Sequence, residues 1–114
     1  MKYMALIYVD PTGFSTRSDD EREAITKEYF ALAEDPRMVH SDQLQPGSTA
    51  TTVQVRDGET LTTDGPFVET KEELGGYYLF EASDLDEAIE IATRMPASRD
   101  GGAVEVRPVV ERPA

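Results

Sequence analysis

The sequence predicts an α+β fold, an antiparallel sheet carrying two helices on one face, arranged as a split β-α-β pair with an extra hairpin strand. Three observations predict it. Two runs, "KYMALIYV" (Lys2 to Val9) and "GYYLFEA" (Gly76 to Ala82), are apolar on both alternating faces, the pattern of strands covered on both sides. Two amphipathic helical stripes, each opened by a capping residue, follow these strands. The other strand-like runs alternate apolar and polar residues, as half-covered strands do.

The first strand ends at "DPTG" (Asp10 to Gly13), a turn signal. Ser18 and Glu21 then have the spacing of a capping box, and Ile25, Tyr29, Leu32 and Ala33 fall on one stripe of the helix that follows. Asp35–Pro36 ends that helix, because a proline disfavours helical backbone in the residue before it. "MVHSDQ" after it reads as a polar loop. In "TATTVQVR" (Thr49 to Arg56), Thr51, Val53 and Val55 face one way and Thr52, Gln54 and Arg56 the other. "DG" at Asp57–Gly58 suits a two-residue type I′ turn, with "ETLTT" as the returning strand. Thr70 and Glu73 have capping-box spacing, which predicts one helical turn ending at Gly75. Ser83 with Asp86 opens the second helix, whose stripe is Leu85, Ala88, Ile89, Ala92 and Met95, with Pro96 ending it. "AVEVRPV" is the last strand.

The order is β-α-β-β-β-α-β, a single domain over residues 1–114. The two strands with two apolar faces belong in the centre; "TATTVQVR" and "AVEVRPV" belong at the edges. Two helices cover one face of such a sheet, yet the central strands are apolar on both. A second copy of the chain is the simplest cover for the other face, and a face-to-face homodimer would enclose a cavity for a small ligand.

Composition excludes several function classes. The chain has no cysteine, hence no disulfide framework, thiolate zinc site or cysteine nucleophile. Its net charge is −12, and between Glu59 and Glu90 ten acidic residues face a single cation, Lys71. That field repels nucleic acid and anionic membrane surfaces. The apolar run Tyr3 to Val9 is too short to span a membrane, so a cytoplasmic location is expected. One histidine and no clustered ligands give no metal site, and "RDGG" lacks the context of a phosphate loop; no cofactor is expected.

The run "DGPFVETKEELGGYYLFEASDLDEAIEIATRMP", followed by "GAVEVRPV", resembles the DGPF group of the YCII-related proteins. The resemblance extends to "MKYMALIY" and "LQPGSTATTVQVRDG" and is weakest between Asp35 and Asp42. It implies a ferredoxin-like fold that dimerises into an α+β barrel. It assigns no reaction, and it also implies a different role, a non-catalytic accessory module of an extracytoplasmic-function sigma factor system. Some YCII-related proteins resemble enzymes using a histidine early in the first helix and an aspartate after the second. This chain has neither: "DDEREAITKEYFALAED" lacks histidine, and Met95–Pro96 stands where the Asp-Pro would be.

Two candidates remain for acid–base chemistry. An aspartate opening a turn ordinarily bonds the amide two residues on, but for Asp64 that residue is Pro66, which has no N–H. The carboxylate must reach Phe67, find a more distant donor, or stay available to a ligand; Phe67 itself offers an apolar anchor. His40 is the one side chain that titrates near neutrality without perturbation, and the bland reading is a solvated loop histidine. Tyr8 and Asp10, ending a central strand, could line a cavity mouth, although Asp10 also reads as a turn residue. Lys71 could orient an anionic group or form a surface ion pair. Whether the protein is an enzyme stays open at this level.

Overall fold

A computed structural model describes residues 1–113. Strand β1 (Lys2–Val9) leads into a short helix α1 (Pro11–Ser15) and a long helix α2 (Asp19–Ala33). Strands β2 (Met38–Gln43), β3 (Thr51–Arg56), β4 (Glu59–Asp64) and β5 (Glu73–Glu81) follow, then helix α3 (Leu85–Thr93) and strand β6 (Ala103–Pro108). Single 3-10 turns at Gly47–Thr49 and Pro96–Ser98 complete the chain.

The main sheet is antiparallel, in the order β2-β5-β1-β6. The two strands with two apolar faces, β1 and β5, are therefore its centre, as their composition requires. Tyr3, Ala5, Ile7, Tyr78 and Phe80 face the helices and form one core with Leu32 of α2 and Ala88, Ile91 and Met95 near α3. Alternation sends Met4, Leu6, Tyr8, Tyr77 and Leu79 to the opposite face, where they are only half-buried. Both long helices lie on the other side, so among the described residues this face has no second layer. The molecule is a slab of 46 × 44 × 19 Å.

The capping logic of α2 holds. The Ser18 hydroxyl accepts from the Glu21 N–H at 3.1 Å, and the Glu21 carboxylate accepts from the Ser18 N–H at 3.3 Å. The bond from the Ser18 N–H lowers the Glu21 pKa by favouring its charged form. Helix α3 is capped one residue later than Ser83: Asp84 is the N-cap and accepts from the Glu87 N–H at 2.9 Å. Ser83 instead donates its hydroxyl to the Glu87 side chain at 2.8 Å. The buried stripe shifts accordingly to Ala88, Ile91 and Ala92, with Leu85 and Ile89 exposed.

Three further expectations are corrected. "MVHSDQ" is not a loop but edge strand β2, paired with β5. Its polar side chains carry no strand signal; the backbone of β5 supplies the pairing, and Met38 packs against the core. "TATTVQVR" is not an edge of the main sheet. It pairs only with β4, in a separate two-stranded hairpin whose register runs from Arg56↔Glu59 to Thr51↔Asp64. The expected Asp57–Gly58 turn closes it, both residues at positive φ (50° and 78°). "ETKEELGG" contains no helical turn, because Glu73 already belongs to β5. Gly76 lies within the sheet, where an added Cβ would sit 2.8 Å from the Asp42 carbonyl oxygen of β2.

Behind the sheet, the Tyr78 hydroxyl donates to the Tyr29 carbonyl at 2.8 Å, and the Tyr29 hydroxyl accepts from the Ala97 N–H at 3.0 Å. Burial raises both phenol pKa values, Tyr78 to about 12. Asp35, at the end of α2, accepts from the backbone and guanidinium of Arg37 and from Arg94. This joins the helix ends to the start of β2.

Candidate functional site

A cleft of about 970 Å³ opens where the uncovered sheet face meets the base of the β3–β4 hairpin. Three stretches build it. Tyr8 comes from the end of β1; the segment from Leu44 to Ala50 forms one wall; Gly65, Pro66 and the residues from Val68 to Leu74, without Lys71, form the other. Register shifts by one residue between Ile7 and Tyr8, after which Tyr8 lies opposite Leu74. The extra residue is Gly75 on β5, so Tyr8 keeps the alternation of β1 and Leu74 is brought opposite it.

The walls are held together by Glu73. Its carboxylate accepts from the Gly47 N–H at 3.1 Å, binding "LQPG" to the start of β5. An added Cβ at residue 47 would lie 3.0 Å from the Glu73 carboxyl carbon, so the carboxylate would have to shift to admit one. At the hairpin base, Gly65 donates its N–H to the Ala50 carbonyl at 2.7 Å, and the Thr52 hydroxyl donates to the Gly65 carbonyl at 2.8 Å. Gly65 has φ +101°, a conformation L side chains resist. The glycine of "DGPF" thus turns the chain out of β4 and into the cleft wall.

The five candidate residues part company here. Tyr8 lines the cleft. Asp10 caps α1, its carboxylate accepting from the Thr12 N–H at 3.0 Å, and Lys71 lies 3.7 Å from the same carboxylate. Lys71 is therefore paired beside the cleft and does not line it. Asp64 closes β4 opposite Thr51, solvent-exposed, one residue before the cleft-lining Gly65, with no side-chain hydrogen bond among the described residues. Phe67 is not anchored; it is 74% exposed, and Val68 is 63% exposed.

His40 stands apart on β2. Its Nε2 lies 2.9 Å from Asp42 Oδ2, and its ring centroid 5.7 Å from that of Tyr77. A bulge between Met38 and His40 puts His40 opposite Leu79 and Asp42 opposite Tyr77. All four therefore share the uncovered face.

Sequence reasoning missed Glu69, Glu72 and Glu73, which give the cleft three carboxylates and no basic lining residue. The acidic run is plain in "VETKEEL"; its meeting with "LQPGSTA", across 26 residues, is not. A cleft so lined favours hydrogen-bond donors and cations over anions. The described residues contain no cluster of three or more side chains placed to hold a metal ion, and no helix long and apolar enough to cross a membrane.

The model of the YCII-related domain matches residues 1–112. An uncharacterised protein of Rhizobium meliloti (strain 1021) is 36% identical over 114 aligned residues, covering 96% of this chain and 92% of that protein. On a match spanning β1 to beyond β6, the chain belongs to the YCII-related family.

Proposed function

We propose that the protein works as a homodimer that binds a small neutral or cationic organic molecule in the cleft beside Tyr8 and acts on it by proton transfer. The observation that carries this reading is the cleft itself: about 970 Å³, within the range of small-molecule sites, and continuous with a sheet face that has no second layer. Tyr8 offers a hydroxyl and an aromatic wall. Glu73 is engaged by Gly47, which leaves Glu69 and Glu72 to meet a donor or a cation. Asp64, at the rim with its carboxylate unbonded among the described residues, is the group placed to exchange a proton. His40, held by Asp42 on the same uncovered face, is the second acid–base group, and a dimer would bring it into the enclosed space.

The test is a thermal-shift screen of neutral, cationic and anionic metabolites against the wild type and the Tyr8→Phe, Glu72→Gln and Asp64→Asn proteins. A neutral or cationic ligand should stabilise the wild type. Tyr8→Phe and Glu72→Gln should weaken that ligand about tenfold, and Asp64→Asn should spare binding but abolish turnover. A screen without any stabilising ligand, or hits confined to anions, sinks the proposal. Recovery of a stoichiometric partner protein from native cells in place of a ligand would favour the accessory-module role.

A further inference from the structure

The run that carries "DGPF" is held at its ends and almost nowhere between. Residues 65–72, which join β4 to β5, form neither helix nor strand. Gly65 is bonded to Ala50 and Glu73 to Gly47, so both anchors grip the same wall of the cleft. Among the described residues, no backbone hydrogen bond joins residues 66–72 to the rest of the chain. Their one polar tie to it, again among the described residues, is Lys71 with Asp10 at 3.7 Å. The Lys71 side chain is 77% exposed, and ion pairs in water hold little. A segment so tied moves at low cost.

The composition of this run is unusual for a solvated loop. Phe67 and Val68 stand side by side, both largely exposed. The opposite wall brings Leu44, Pro46 and Ala50 to the cleft, and the central strands bring Tyr8 and Leu74. Phe67 is next to this apolar lining without belonging to it. The empty cleft gives the ring little to gain by entering. At about 970 Å³ the space is too wide for one side chain to fill, and a ring surrounded by water makes few contacts. A bound molecule changes that balance, because the ring then has a surface to cover. Gly65 supplies the pivot. Its φ is +101°, and an added Cβ would meet nothing within 4 Å, so the chain has room to turn there.

We infer that residues 65–72 are a lid, which pivots at Gly65 and brings Phe67 and Val68 down on a molecule bound beside Tyr8. Closure parts Lys71 from Asp10 and leaves the anchors at Ala50 and Gly47 in place. The side chains on the lid narrow what it covers. Phe67 and Val68 need an apolar body beneath them, while Glu69 and Glu72 on the same run favour a cation. The ligand is therefore an amphipathic amine, a hydrocarbon or ring carrying an ammonium group. That is a subset of the neutral or cationic class proposed above. With the lid down, water is kept from the proton transfer assigned to Asp64, the residue before the pivot.

The inference rests on the cleft being the ligand site, and its test reads the lid both without and with a ligand. The chain has no cysteine and no tryptophan, so either can be introduced as a sole reporter. In the ligand-free protein, Phe67→Cys/Ser48→Cys should form a disulfide within one chain on mild oxidation, as residue 67 reaches the far wall. Phe67→Cys/Arg56→Cys, with its second thiol beside the hairpin turn, should not. All three positions are solvent-exposed, so these substitutions leave the core intact. The Phe67→Trp protein should be quenched freely by acrylamide when empty and several-fold less with saturating 2-phenylethylammonium. With 3-phenylpropanoate, the same ring bearing a carboxylate, it should stay exposed. Phe67→Ala should bind 2-phenylethylammonium about tenfold more weakly than the wild type. No disulfide across the cleft, an indole already shielded in the empty protein, or one left exposed with the amine bound overturns the lid. Failure of 2-phenylethylammonium to bind, or shielding by 3-phenylpropanoate, overturns the amine. A protein that forms the disulfide yet binds nothing in the metabolite screen loses its ligand reading and keeps the lid.

Discussion

At the scale of single residues, Asp35 shows how one side chain can couple three segments. It lies at the end of α2, is 10% exposed, and accepts from Arg37 and from Arg94 beyond α3. The hydrogen bonds from Arg37 hold its carboxyl well below the usual carboxylate range, with a smaller contribution from Arg94. Asp35→Ala removes the acceptor that Arg37 and Arg94 share, leaving Arg37 with Glu87, and should lower the unfolding free energy by about 1 kcal/mol, measured by urea titration near neutrality. The sign of the pH effect follows from the lowered pKa. The unfolded chain takes up this proton at about pH 4, while the folded chain resists to lower pH. The site's contribution is complete above about pH 5 and is lost as the pH falls through the folded-state value. Wild-type stability should therefore drop faster on acidification than that of Asp35→Ala.

At the scale of elements, legibility tracks where the structural information resides. Strands β1 and β5 are readable because a centre strand needs apolar residues on both faces, and the Ser18–Glu21 box because caps are local. Strand β2 is not readable. His40, Ser41, Asp42 and Gln43 have no strand preference, and only the neighbouring β5 backbone makes them one. Thr70 and Glu73 mislead for a related reason: Glu73 has a better use for its carboxylate at Gly47, a partner distant in sequence. Of the cleft, Tyr8 was accessible as a strand end, whereas the opposing walls meet only in the folded chain. The hairpin invites a prediction of its own. Amides of β3 and β4 should exchange hydrogen at least about a hundredfold faster than those of β1 and β5 in the isolated chain, because the two-stranded hairpin contributes nothing to the core. Equal protection of the two sheets would show that the hairpin is stable without a partner.

At the scale of the molecule, charge and shape oppose each other. Each chain carries −12, so two copies repel at long range, while the homodimer proposed above would be held by the apolar side chains of the bare face. Salt screens the first effect and leaves the second. Raising ionic strength from about 0.02 to about 0.5 M should therefore tighten the dimer several-fold in sedimentation equilibrium. Loosening by salt would mean that ion pairs hold the interface. The same field bears on ligands, since the cleft's three glutamates and the −12 background both disfavour an anionic substrate.

The bulge between Met38 and His40 gives β2 one residue more than its ladder needs. The strand can consequently lose a codon without losing its place. Deleting Val39 would straighten β2 and leave His40 and Asp42 on the uncovered face. Deleting Ser41 would use up the same slack from the other side, keep Met38 and Asp42 where they are, and turn His40 towards the helices. The first deletion keeps His40 opposite Leu79 and Ser41 opposite Tyr78; the second puts Val39 opposite Leu79 and His40 opposite Tyr78, so comparing the two reports whether the uncovered face needs its imidazole.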